Sequence, residues 1–237
     1  MPASDIFIQG RLEMSAVPIP EAAGAAAWGD LTVNRVLVVA AVLVAVACLR
    51  DLFKLLPELL YCFSRPRASI SLEYNSSVVR MRNTAALFSV LPFSLIADRY
   101  GLFRPEFWER IPEGWSAPAM MAVVFAYLLL RLLAFALIRP PKLNGTTADA
   151  VRRSPWSYFT LLTMLMLLSV GALSVFGADD GVVKTLMYCE AGLFFLLSLL
   201  RSGQILASVF SGLTTILYLC GLELLPAAAL VACAVFL

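Results

Sequence analysis

Apolar residues in this chain come in long runs, separated by short charged or proline-bearing stretches, and that pattern predicts membrane-crossing helices. A helix rises about 1.5 Å per residue, so about 20 largely apolar residues are needed to cross roughly 30 Å of hydrocarbon. Val33–Leu49 is the first such run, rich in Val and Ala and closed by Arg50 and Asp51. Residues 52–63 mix Leu and Phe with Lys54, Glu58 and Pro57. They predict a helix that leaves the membrane and bends along its surface. The second span is the shortest: Asn83–Ala97 offers 15 uncharged residues with Pro92 inside. It becomes long enough if it starts near Val78 and lets Arg80 and Arg82 snorkel. A re-entrant or surface segment is the alternative reading there.

The later runs are longer. Ala119–Ile138 is the third span and contains Arg131. Trp156–Phe176 is the fourth, inside 25 uncharged residues from Ser154 to Ala178. A turn at 177–181 leads into the fifth, Val182–Leu200, which holds Lys184 and Glu190. Gln204–Leu237 carries a single charge, Glu223, in 34 residues. A straight helix of that length, roughly 51 Å, exceeds one crossing. It divides into an interfacial or tilted piece at 204–211 and a last span from about Gly212 to Val235, kinked at Pro226. The expected fold is all-α, a polytopic transmembrane helix bundle of about six spans with short interfacial helices; a seventh span arises if Pro226 opens a second helix. Residues 1–32, with Pro2, Pro18 and Pro20, read as a flexible or interfacial tail without the basic leader of a signal peptide. Residues 33–237 form one transmembrane domain. Alternation of Ile70, Leu72 and Tyr74 admits a short strand.

Composition agrees with lipid as the main solvent. Apolar residues make up 61% and charged residues 14%, against about 45–50% and 25% in soluble domains. With 18 Lys and Arg against 16 Asp and Glu, nothing draws the chain to nucleic acid. The basic residues are unevenly placed: eleven fall in the connectors after spans one, three and five, six on the other side. The positive-inside rule then puts those connectors in the cytoplasm and both termini on the outer side of the membrane.

Histidine is absent, which removes catalytic imidazoles and His-built haem or metal sites. Cys48, Cys62, Cys189, Cys220 and Cys233 form no C-x-x-C pair and read as reduced packing thiols. No phosphate-binding glycine motif is present, and no Asp lies inside an assigned span. No catalytic residue, metal or cofactor is therefore expected. Three ionisable groups do lie within apolar runs: Arg131, Glu190 and Glu223. Each costs about 2.5–3.5 kcal/mol at mid-membrane on insertion scales, so each should face the bundle interior and find a partner. All three reach similar depth if their helices are neighbours. One reading is a proton or ion site tuned by Arg131; the other is an Arg–Glu pair that fixes helix register. A third has Glu223 protonated onto a carbonyl freed by Pro226. In the connector 98–118, Pro105 can open a short helix, and Trp108 and Trp115 suit anchoring in the headgroup layer.

The decapeptide Leu217–Pro226, LYLCGLELLP, resembles the tail of an uncharacterised bacterial family of small multi-span inner-membrane proteins, a domain of unknown function ending in Tyr-Leu-Cys-x-Leu-Glu-x-Leu-Pro. The resemblance covers roughly residues 35–237. It implies an integral inner-membrane protein without an assigned activity and draws attention to Tyr218, Cys220, Glu223 and Pro226. The expectation is a non-enzymatic subunit or assembly partner of an envelope complex, with the lipid bilayer and other membrane proteins as partners. The alternative is a proton- or ion-coupled small-solute transporter using Glu190 and Glu223 with Arg131.

Overall fold

The computed structural model describes residues 28–64, 74–112, 114–138 and 145–236, and among these all regular structure is helical. The tail 1–27, Ile70, Leu72, Arg139, Lys142 and the side chain of Cys62 lie outside the described residues. A 3-10 turn, Trp28–Asp30, precedes α1 (Thr32–Ser64), followed by α2 (Ser76–Arg99), a 3-10 turn at Glu106–Arg110 and α3 (Ser116–Leu137). Then come α4 (Gly145–Val175), α5 (Asp180–Ala207), α6 (Gly212–Leu219), a π turn at Cys220–Leu224 and α7 (Leu225–Phe236). Five stretches are long and apolar enough to cross a membrane: α1 through Tyr61, α3, α4, α5, and Gly212–Phe236 taken together.

α2 is not among them, yet it is the hub. Asn75 caps it, its side-chain oxygen accepting from the backbone N–H of Ser77 and Val78. From there it runs unbroken through Pro92, antiparallel to α1 and α3, and packs against α1, α3 and α4. Its 24 residues span about 36 Å. Ala85, Ala86, Ser89, Ser94 and Ala97 are buried on it, and such small side chains let neighbouring helices approach closely. Ser89 bonds back to the carbonyl of Ala85 at 2.8 Å, so its hydroxyl needs no outside partner. The larger residues at α2's margins seed the core. Leu95 joins Ala41 and Ala117, while Ile96 joins Leu162, Met166, Val183 and Met187.

Three expectations change. Residues 52–63 do not bend away along a surface: they continue α1, and Leu55 and Leu59 pack against Ala85 and Leu161. Arg82, expected to snorkel, is buried, because its position on α2 faces the bundle. Residues 204–207 belong to α5, and the break falls at Ser208–Ser211, just before Gly212.

One end of the bundle, the Trp28 end, is tied by cross-links between elements. Trp28 and Ser116 both donate to Asp98, Arg99 pairs with Asp180 at 3.6 Å, and Tyr188 donates to the carbonyl of Leu102. Asp179 caps α5 there by accepting from the N–H of Gly181 at 2.9 Å. The opposite end, named here for Arg152, carries the starts of α4 and α6.

Candidate functional site

The last helix explains how an acid comes to sit in the bundle. Pro226 has no N–H to give to the carbonyl four residues back, and its ring crowds that carbonyl. The preceding turn widens instead: the N–H of Leu225 bonds to Cys220, five residues back, which defines the π turn Cys220–Leu224. Glu223 lies in this turn and points inward, 4% exposed.

Its partner is Arg131 on α3, 9% exposed. Arg131 Nε donates to Glu223 Oε2 at 3.0 Å and Nη2 donates to Oε1 at 2.7 Å, a two-pronged bond that uses both carboxylate oxygens. Nη1 donates to the backbone carbonyl of Arg152 on α4 at 3.0 Å, and Ser202 on α5 reaches Oε1 at 3.4 Å. Four elements thus meet on one ion pair. Such a pair repays its desolvation only when geometry is good and spare donors are used, and here both conditions hold.

Glu190 is not part of this group. It lies twelve positions before Ser202 on α5, about 18 Å along the axis. At 7% exposed it accepts a hydrogen bond from Ser169 of α4 through Oε1, while Oε2 is buried with no hydrogen-bond partner among the described residues. The structure therefore brings together two of the three intramembrane groups and holds the third apart. Arg201 is buried near the Arg131–Glu223 pair's end of α5, donating to the Tyr158 hydroxyl at 3.3 Å and to Gln204 at 3.1 Å.

The other motif residues take packing positions. Tyr218 stacks obliquely on Phe210, with ring centroids 5.2 Å apart; Cys220 is exposed; Pro226 is buried. The two expected anchors separate. Trp115 is 63% exposed, as a headgroup-layer indole would be, whereas Trp108 turns into the core against Phe103, Ala97 and Met120. The 3-10 turn opened by Pro105 aims Trp108 inward, since three of its four fellow turn residues, Glu106, Glu109 and Arg110, are charged and stay exposed.

A second polar centre was not read from the sequence. Asp98, in the last turn of α2, is 1% exposed and accepts from Trp28 Nε1 at 2.6 Å and Ser116 Oγ at 3.0 Å, both on Oδ2. Asn34, fully buried, donates to the carbonyl of Trp28 at 2.9 Å. An acid at a helix C-terminus opposes the helix dipole, so these two donors offset a cost that the helix itself imposes. The available signal was the Ser94–Asp98 spacing of four, which puts both on one helix face beside small residues.

Among the described residues no group of three His, Cys, Asp or Glu side chains is placed to hold a metal ion. Comparison with protein-family models, curated proteins and solved structures finds no match, so the site is read from its own geometry.

Proposed function

We propose that this is a multi-pass protein of the bacterial inner membrane acting as a non-enzymatic subunit or assembly partner of an envelope complex. The observation that carries this reading is the Arg131–Glu223 pair. Both carboxylate oxygens and three guanidinium donors are engaged across α3, α4, α5 and the π turn. A group bonded across four elements fixes register, and its two-pronged pairing disfavours exchange. The apolar face of α1, with Val36, Val39, Leu43 and Val46 all exposed, supplies a surface for lipid or for a partner helix. In this reading α2 also crosses the membrane, and the basic-residue bias places the Trp28 end outside. The C-terminal decapeptide's resemblance to a small inner-membrane family points the same way.

Mild solubilisation of the native membrane, followed by identification of co-purifying chains, tests the proposal. A stable stoichiometric partner is the expected result. Glu223→Gln should then lower the protein's abundance without abolishing a flux.

Glu190 favours a second reading, an ion-coupled transporter, because a buried carboxylate oxygen without a partner is what an exchanging proton or cation would use. A monomer that sustains coupled flux in liposomes, lost in Glu190→Gln, would replace the first reading with this one.

A further inference from the structure

The connector between α2 and α3 builds two adjoining clefts at the Trp28 end. With Trp108 turned inward, Arg104, Glu106 and Glu109 are left at the rim of the first, a cleft of about 520 Å³ whose other walls include Trp28 and Ser116. Those two walls are fixed from beneath, since both donate to the buried Asp98. The second is a shallow, open apolar depression lined by Trp115, Pro118 and Ala119. The two share Ile111 and Pro112, so they are continuous. A charged cleft running into an apolar one, at the ends of membrane-length helices, has the shape of an amphipathic molecule.

The charges narrow its chemistry. Arg104, Glu106 and Glu109 form no ion pair among the described residues. Arg104 is nevertheless seated: its stem lies over Gly101, where a Cβ would come within 3.2 Å of Arg104 Cδ, and where φ is +58°. Gly101 therefore serves twice, turning the chain in the left-handed region and making room for the arginine. Trp108, more than nine-tenths buried, forms part of the same cleft's wall, while its indole N–H is enclosed and has no acceptor among the described residues. The Arg104 guanidinium suits a phosphate diester, and two carboxylates suit an ammonium with N–H donors. A choline headgroup offers no N–H donor, and a glycerol headgroup offers no cation.

We propose that the joined clefts bind a zwitterionic aminophospholipid of the phosphatidylethanolamine type. Its phosphate lies against Arg104, its ammonium against Glu106 and Glu109, and an acyl chain follows the apolar cleft past Trp115 and Ala119. The test uses the full chain in nanodiscs containing equal parts phosphatidylethanolamine, phosphatidylcholine and phosphatidylglycerol. The protein is then extracted in mild detergent and its retained lipid counted by mass spectrometry. Phosphatidylethanolamine should be retained several-fold over the other two. The double variant Glu106→Gln/Glu109→Gln should bring it down to the phosphatidylcholine level, and Arg104→Gln should lower retention of all three. Ala119→Trp, which fills the apolar cleft without touching a charge, should also release the lipid. Unchanged thermal melting of the purified variants separates these losses from misfolding. Equal retention of the three lipids, a preference for phosphatidylglycerol, or a phosphatidylethanolamine preference untouched by all the variants would overturn the proposal.

Discussion

α1 and α2 pack against each other at two levels, Leu55 and Leu59 against Ala85 and Ala41 against Leu95, yet they are opposites. α1 qualifies as a span on apolarity and leaves Val36, Val39, Val42, Leu43 and Val46 exposed. α2 does not qualify, and it buries Arg82, Ala85, Ala86, Ser89, Val90, Ser94 and Asp98. The difference teaches that helix hydropathy here reports what a helix faces. A helix facing hydrocarbon must be apolar all along its outward stripe. One enclosed by other helices can be small and polar, because its neighbours supply close packing and hydrogen bonds.

If that contrast holds, substitutions should cost most where polar groups are enclosed and least on α1's outer face. Glu223→Ala strands Arg131 in the interior and should destabilise the protein by about 3–5 kcal/mol, read as an early thermal transition in detergent. The double variant Arg131→Met/Glu223→Leu should recover most of that loss, since it removes the stranded charge. A double variant as unstable as Glu223→Ala would mean the pair serves something other than register. Next comes Ala86→Leu, at a position with no exposure; overpacking the hub should cost about 1–3 kcal/mol. Asp98→Leu leaves the Trp28 indole and the Ser116 hydroxyl without their acceptor and should cost about 1–2 kcal/mol. Tryptophan emission should also shift as Trp28 loosens. At the small end, Ala47→Leu on the exposed face of α1 should stay within about 0.5 kcal/mol. Equal effects at Ala47 and Ala86 would erase the distinction between the two helices.

Much of this was legible in the residue pattern, for a physical reason: lipid-facing helices carry their constraint on their own surface. The runs around Val33–Leu49, Ala119–Ile138 and Val182–Leu200 needed only length and apolarity to be placed. Arg131 and Glu223 were visible because a charge in an apolar run is costly and stands out. Their separation from Glu190 was not visible, since it depends on the π turn and on which helices are neighbours. Asp98 was hidden differently. It sits one residue past an uncharged run, where an acid ordinarily meets water, and only the fold brings Trp28 from 70 positions away to cover it. Trp108 and Trp115 show the same limit: both are indoles in one connector, and one turns inward while the other stays out.

The claim beneath all of this is that polar and small surfaces face protein and apolar surfaces face lipid. It is tested most directly without any substitution, by photolysing a membrane-dissolved hydrophobic diazirine around the reconstituted protein and mapping carbene insertion by mass spectrometry. The account expects dense labelling along the Val36–Val46 face of α1 and at the exposed Leu87 and Phe88 of α2, and almost none at Ala85, Ala86, Ser89, Val90, Ser94 and Ala97. Heavy labelling of those six buried positions, at a density matching α1, would contradict it.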